Sequence, residues 1–424
     1  VRSSQEMTDA ILASMTWLGL DWDGEPIYQS KRFDLYNAAI DRLLDQGRAY
    51  WCSCSPDEVE AMRETARAKG LKPKYDGRCR ERGLGPGPGR VVRFKAPLEG
   101  KTVFDDMVKG RVAVDHAEMD DMILRRTDGS PVYNLAVVVD DHDLGATHVL
   151  RGDDHLSNTP RQIQLYQALV FPVPLFGHVP MILGSDRQKL SKRHGARSVM
   201  EYERDGFLPE ALVNYLVRLG WSHGDQEIFS REELLAAFSV DKLNSAAAAF
   251  DQEKLLWLNS HYLKEAAPAR LAGLLASQLR ARRADGDVAR AEADAGYLEA
   301  IVPLYQPRSK TMAEMAEAAA FFLHETADLP YDAAAVAKFL TAETRPRLIE
   351  LRERLAGLPD FSHQTLEADV QTYLEATGLK FKALAQPLRV ALTGQTASPG
   401  LFETMEVLGR ERVLARLDRA LALG

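Results

Sequence analysis

Cysteine is scarce in this chain, with three in 424 residues. Three thiols cannot all pair with one another and are few for the length, so a disulfide framework is not expected and a reducing cytoplasm is the default setting. Long apolar runs are missing too. No stretch approaches the roughly 20 apolar residues of a membrane span, so no membrane association is expected. The opening residues, Val1-Arg2-Ser3-Ser4-Gln5-Glu6, lack the apolar core of a signal peptide. Neither sign of charge dominates: 53 basic against 61 acidic side chains leave a net charge of -8. That balance argues against a general nucleic-acid coat and leaves room for local basic surfaces that hold a polyanion. No fixed-period repeat shows in residues 265–424. What is present is ordinary globular material, 46% apolar and 27% charged. At about 150 residues per domain the length suggests roughly three domains.

The chain opens on a helix signature. Ser3-x-x-Glu6 matches a capping box, Ile11, Met15 and Leu18 share a face, and Gly19 can close the element. Residues 50–130 are mixed, with short strand-like runs such as Arg90 to Phe94. The glycines of Gly83 to Gly89 invite a phosphate-loop reading, but no apolar strand feeds them and prolines interrupt them, so a surface loop is expected. Val132 to Val139 is a nearly continuous apolar run ending in Asp140-Asp141, and Thr147 to Leu150 is a shorter one. Both read as strands buried in a parallel sheet. A helix from Thr159 with Pro160 in its first turn follows, then a third run, Val179 to Leu183, which completes a βαβ unit. Open α/β sheets bind ligands beyond the carboxyl ends of their strands. Arg151, Asp153, Asp154 and the segment Gly184 to Arg193 fall at such ends. From Leu208 onward the pattern is helical: Pro209 to Gly220 is a complete amphipathic helix, and residues 265–424 read as a helical bundle or superhelix punctuated by Pro303, Pro330 and Pro387.

The most informative segment is Lys189-Leu190-Ser191-Lys192-Arg193. Between Asp186 and Arg197, five cations (Arg187, Lys189, Lys192, Arg193, Arg197) meet a single ionised acid, Asp186. So much like charge in one loop repels itself unless an anion relieves it. Ammonium groups aimed at a triphosphate would lower the barrier of a charge-rich transition state. A solvated basic loop is the plainer alternative. The two Asp-Asp-His triplets, Asp140-Asp141-His142 and Asp153-Asp154-His155, leave a second choice open between metal ligands of a hydrolase and acids that cap strand ends.

The order Lys-Leu-Ser-Lys-Arg resembles the KMSKS signature of class I aminoacyl-tRNA synthetases, in the form carried by glutamyl-tRNA synthetases. The resemblance extends to Asp140-Asp141-His142, Arg151-Gly152-Asp153-Asp154-His155, Asn158 to Gln162, His178 to Leu183 and Tyr215 to Trp221. It continues through Gly47 to Cys54, Phe250 to Asn259 and Gln386 to Thr393, so it covers essentially the whole chain in order. It implies an α/β fold: a Rossmann-type parallel-sheet catalytic domain (1–47 and 132–200) interrupted by an α+β acceptor-end-binding insertion (48–131). A stem-contact region (201–264) and an all-helical anticodon-binding region (265–424) would follow.

The resemblance also implies roles. Arg151 matches the family's substrate-binding arginine, whose fork suits the carboxylate of L-glutamate, and Tyr133 lines the same pocket. Asp154 matches an acid that contacts ATP, and Met181 and Ile182 match positions whose main chain reads adenine. Lys189, Ser191 and Lys192 would hold the phosphates. Lys189, Lys192 and Arg193 form the catalytic cations, with Lys192 steadying the transition state and Mg²⁺ accompanying ATP. The acceptor is tRNA(Glu), with tRNA(Gln) a further possible substrate, and nothing calls for more than a monomer. Cys52-x-Cys54, Cys79 and Tyr75 match a zinc framework found in some relatives. Some members place a histidine two residues after the last cysteine, where this chain has Glu81, so three reduced thiols without metal remain the alternative. In the helical region Lys380, Phe381 and Lys382 suit either a tRNA backbone with a stacked base or a helix with one buried ring.

The family's other signature, HIGH, and the strand before it have no counterpart in these residues, so this polypeptide by itself is expected to activate glutamate poorly. A non-catalytic tRNA-binding relative is the first rival reading. A glutamyl-queuosine enzyme lacks the helical region, and a glutaminyl-tRNA synthetase usually ends in β-barrels.

Overall fold

A computed structural model of the chain describes residues 4–191, 197–284 and 294–423. In chain order it contains α1 (Gln5–Trp17), α2 (Phe33–Asp45), β1 (Ala49–Cys52), α3 (Pro56–Ala68), β2 (Val91–Phe94), β3 (Lys101–Asp106), β4 (Gly110–Asp115) and β5 (Ile123–Arg125). Then come α4 (Tyr133–Asp143), β6 (His148–Gly152), α5 (Thr159–Leu169) and β7 (Leu175–Val179). Among the described residues the longer elements after β7 are all α-helices. They are α6 (Val199–Arg204), α7 (Pro209–Gly220), α8 (Arg231–Ala237), α9 (Gln252–Glu265), α10 (Pro268–Ala284), α11 (Ala295–Tyr305) and α12 (Met312–Ala319). The last six are α13 (Ala333–Phe339), α14 (Arg345–Ala356), α15 (His363–Thr377), α16 (Phe381–Thr393), α17 (Leu401–Leu408) and α18 (Arg410–Ala422). The chain packs as two units. One takes Val1–Asp21, Ala196–Tyr215 and Asp251–Gly424, the other Trp22–Gly195 and Leu216–Phe250.

The second of these units holds the sheets. β1, β2 and β5 form an antiparallel sheet, β3 and β4 a hairpin, and β6 and β7 a parallel pair. Parallel neighbours need a crossover, and α5 supplies it, so the expected βαβ unit is present. Its first strand is where the sequence put it. The second lies earlier than Val179 to Leu183, at Leu175–Val179, and Met181 to Leu183 instead enter a turn in which Leu183 bridges to Lys189 and Ala249.

The run from Val132 to Val139 departs further from expectation, since it is helix α4 and not a strand. Leu135, Ala136, Val138, Val139 and Asp140 are all buried, and the helix packs on α2 and α5. A run that is apolar at nearly every position shows neither a period of two nor of 3.6, so β-branching tipped the reading toward strand while packing decided for helix. Each such apolar side chain contributes about 1.5–3 kcal/mol on burial. The core beneath the parallel strands gathers Tyr36, Ile40 and Leu43 of α2, Leu135, Val138 and Val139 of α4, Leu165, Tyr166 and Leu169 of α5, and Phe176 of β7.

The helical unit has its own apolar core, running from Leu208 to Ala420. In α1 the cap is Ser4, whose hydroxyl accepts the Met7 N–H, and Gly19 (φ 65°) closes the helix as expected. Pro330 separates helices as its position suggested, but Pro303 and Pro387 sit inside α11 and α16. A mid-helix proline forfeits one backbone hydrogen bond. In α16 it is tolerated because eight residues from Leu384 to Thr393, Pro387 among them, are buried. At Gly394 (φ 75°) any Cβ would stand 1.9 Å from the Pro330 carbonyl oxygen, so glycine is required where that loop crosses the end of α16.

Candidate active site

β6 carries Arg151 to the carboxyl end of the parallel pair, directly opposite His178 of β7. The Arg151 Nε donates to His178 Nε2 (3.2 Å), and Nη2 donates to Thr159 Oγ1 (2.8 Å) and Gln162 Oε1 (2.7 Å) at the start of α5. Phe176 supports the guanidinium from 5.6 Å. Burial pulls this guanidinium below its ordinary pKa, against the opposing influence of Tyr133 and Asp141. A cation whose charge is disfavoured by burial gains from an incoming carboxylate.

Behind Arg151 stands a pair that sequence reading gave no role. His178 is fully buried, with Nδ1 2.5 Å from Asp106 Oδ2, and its backbone N–H donates to Asp106 Oδ1 at 3.1 Å. The N–H groups of Val108 and Lys109 donate to the same Oδ1. Burial raises the Asp106 carboxyl, but the His178 hydrogen bond and these backbone donors outweigh it and hold its pKa below the usual range. His178 and Thr159 lie in segments that carried the family resemblance. Asp106 ends β3 of a remote hairpin and gave no signal.

Tyr133 begins α4, with its hydroxyl 3.3 Å from His155 Nδ1 and its ring half exposed. Asp154 follows β6 and pairs with Lys189 at 3.3 Å. Burial raises the Asp154 carboxyl, yet the Lys189 hydrogen bond and charge prevail and its pKa is lowered. A Cβ added at Gly152 would lie 2.7 Å from Asp154 Oδ1 and 3.4 Å from Met181 Sδ, so Met181 and Asp154 converge on the strand end. The basic segment is a tight hairpin-like turn. Leu190 N–H donates to the Ile182 carbonyl (2.9 Å), Gly184 N–H to Gln188 (2.8 Å), and Arg187 takes a left-handed φ of 60°. Arg151, Tyr133, Asp154, Met181, Ile182, Lys189 and Ser191 thus belong to one unit. Lys192 and Arg193 lie outside the described residues.

The two acidic triplets have protein partners. Asp140 receives the hydroxyl of Tyr36, the Gln29 amide and Arg32, Asp141 receives Tyr166, and Asp153 pairs with Lys109. Asp140 and Asp141 lie on α4 and so cap no strand. Among the described residues the group of metal-ligating side chains that does gather is cysteine: the Sγ atoms of Cys52, Cys54 and Cys79 lie within 4.8 Å of one another. The Tyr75 hydroxyl is 3.4 Å from Cys52 Sγ and 4.0 Å from Cys54 Sγ, under an Arg93 guanidinium 3.9 Å above its ring. Burial raises the Cys79 thiol, but hydrogen bonding with Tyr75, the Ser53 backbone and the two other cysteines brings it down to about 6. Glu81 is turned to Lys95 at 2.8 Å. Cys52, Tyr75 and Cys79 belong to a small core of their own with Tyr50, Val59, Met62 and Val91. In the helical unit Phe381 is half exposed against Phe402, so a fully buried ring is ruled out there.

Comparison with known proteins gives a consistent result. The family described as tRNA synthetases class I (E and Q), catalytic domain, matches residues 1–257, and an anticodon binding domain matches residues 264–421. The glutamate–tRNA ligase of Nitratidesulfovibrio vulgaris (Hildenborough) is 62% identical over 422 residues, covering 100% of this chain and 90% of that protein. The glutamate–tRNA ligase of Syntrophobacter fumaroxidans is 53% identical over 421 residues, covering 99% and 88%. A crystal structure of a glutamate tRNA ligase from Elizabethkingia meningosepticum, in complex with its amino acid, superposes with a TM-score of 0.82 at 28% identity, covering 99% of this chain and 90% of that one.

Proposed function

The chain belongs to the class I tRNA synthetases for glutamate and glutamine, and from that premise we propose how its side chains divide the reaction. The activity is glutamate–tRNA ligation: ATP-dependent activation of L-glutamate and transfer to the 3′ end of tRNA. Its fold is α/β in the catalytic part and helical in the anticodon-binding part.

Arg151 takes a carboxylate of glutamate. The observation that carries this reading is the half-buried guanidinium at the end of β6. Its Nε–H and Nη2 protons are committed to His178, Thr159 and Gln162, which leaves the Nη1 protons for substrate. Tyr133 closes the same pocket. The α-carboxylate attacks the α-phosphorus of ATP and pyrophosphate leaves. The terminal adenosine hydroxyl of tRNA then attacks the acyl carbon and AMP departs. Asp154 orients the ribose or the surroundings of the substrate amine, and the main chain of Met181 and Ile182 reads adenine beside the hairpin-like turn. Lys189 and Ser191 hold phosphate oxygens, and on sequence grounds Lys192 and Arg193 join them. Each ammonium is worth most where charge develops in the transition state. Mg²⁺ accompanies ATP and neutralises its phosphates. The tRNA is that for glutamate, and charging of isolated glutamate and glutamine tRNAs decides whether the second is also taken. The enzyme works in the cytoplasm as a monomer.

Aminoacylation by the full-length enzyme tests the assignment. Lys189→Ala should lower kcat by about 10²-fold and change the glutamate KM little, and Lys189→Ala/Lys192→Ala should lower it further. Unchanged adenylate formation in the double variant removes the phosphate-holding role.

Cys52, Cys54, Cys79 and Tyr75 would hold a structural Zn²⁺. Three thiols and a phenol gathered in one small core fit a four-coordinate ion, and Zn²⁺ would cross-link β1 to the segment Tyr75 to Cys79. Metal analysis after dialysis against zinc should find about one equivalent in the wild type and almost none in Cys79→Ala. Wild-type protein that retains no metal overturns this site.

A further inference from the structure

The nitrogen Nε2 of His178 receives Arg151 Nε–H at 3.2 Å and lies 3.0 Å from the Thr159 hydroxyl oxygen. It can satisfy an arginine N–H only as a lone-pair acceptor, so the ring proton belongs on Nδ1, where Asp106 Oδ2 receives it at 2.5 Å. Asp106 is itself fixed. Its Oδ1 collects the backbone N–H groups of Val108, Lys109 and His178 at 2.9–3.1 Å, and its carboxyl is 4% exposed or less. The ring lies nearly parallel to that of Phe176, with centroids 6.3 Å apart and planes inclined by 14°, and the same phenyl group lies 5.6 Å from the Arg151 guanidinium. The buried imidazole is thus bonded at both nitrogens, and the Nε2 it presents toward Arg151 is an acceptor.

We propose that Asp106 and His178 act as positioning residues for the known reaction: Asp106 sets the tautomer of His178, and His178 sets the rotation of the Arg151 guanidinium about its Nε, so that Nη1 meets the glutamate carboxylate. This rests on the reading of Arg151 as the glutamate-binding arginine. The pair touches neither substrate nor reacting atoms. Its effect falls on one substrate above all, because among the described residues the two groups at His178 Nε2 are Arg151 and Thr159, and Thr159 itself holds Arg151 Nη2.

Asp106→Asn is the informative substitution. The side-chain oxygen stays on the three backbone donors, which leaves the Asn amide nitrogen facing His178 Nδ1. Two donors cannot share that line, so the ring proton moves to Nε2, where it opposes Arg151 Nε–H. The expected result in aminoacylation is a glutamate KM raised about tenfold to a hundredfold, with the KM values for ATP and tRNA changed less than about twofold. In imidazole ¹⁵N spectra the His178 proton should shift from Nδ1 to Nε2. His178→Leu should give a similar glutamate KM, and combining it with Asp106→Asn should add nothing, since the first change already removes what the second perturbs. That variant also serves if Asp106→Asn does not fold. Equal losses for glutamate and ATP, or additive effects in the double variant, overturn the proposal. Arg151→Gln separates the two layers. If it leaves the glutamate KM unchanged, the assignment of Arg151 fails. If it raises that KM and Asp106→Asn does not, only the positioning role fails.

Discussion

Arg151→Gln should reduce kcat/KM for glutamate by about 10²- to 10³-fold, a loss of about 3–4 kcal/mol of transition-state stabilisation. The magnitude follows from where the charge sits. Arg151 is partly buried, and burial already lowers its pKa, so the protonated guanidinium in the empty site is under-compensated. A carboxylate entering there recovers electrostatic energy that water cannot supply. Removing the charge leaves that carboxylate desolvated with no partner. Glutamine keeps an amide donor near the position of Nε, facing His178, so the melting temperature should move little while glutamate saturation is lost. Arg151→Lys should fare only slightly better. A single ammonium cannot reproduce three planar contacts to His178, Thr159 and Gln162 and still offer a free edge. Steady-state aminoacylation with glutamate and ATP titrated separately checks this, and a glutamate KM within twofold of wild type would sink the assignment.

A second large effect is expected in the helical unit. Arg416→Met should destabilise the helical region by about 3–5 kcal/mol. Arg416 of α18 is fully buried, and its guanidinium donates to three carbonyl oxygens, those of Leu392 and Phe321 at 2.7 Å and of His324 at 3.0 Å. Burial depresses its pKa to about 10, which leaves it charged at neutral pH. Methionine fills a similar volume but donates nothing, so three buried acceptors lose their partner at once. The three carbonyls belong to the end of α16 and to the turn after α12, so one side chain ties both to α18. Urea unfolding followed by helical circular dichroism, together with hydrogen exchange at residues 321–330, reads the loss. An unchanged midpoint would mean that water satisfies those carbonyls.

The sequence made some of this plain and hid the rest for identifiable reasons. Helix α7 was legible because Pro209 and Gly220 bound a clean amphipathic stripe. Strand β2 was legible because it is short and bounded by loops, and the loop from Gly83 to Gly89 because proline interrupts it. Helix α4 was not legible. Its first turns carry apolar side chains on nearly every side, although only five of its residues are buried, and that uniform run erases the period that separates helix from strand. At the site, Arg151, Asp154 and Lys189 could be named from their order in the chain. The pairing of Lys189 with Asp154, 35 positions apart, could not, and Asp106 had no local pattern at all.

Composition and residue order alone determined the family, the clustering of cations around Lys189 and the division into an α/β part and a helical part, because those depend on which side chains follow one another. Tertiary structure alone decided that an aspartate from a distant hairpin, a histidine and an arginine share one buried line of hydrogen bonds. It also decided that three cysteines and a tyrosine converge. Hydrogen bonds and ligand sets require atoms within about 3–4 Å, and only folding brings residues so far apart in the chain to that distance.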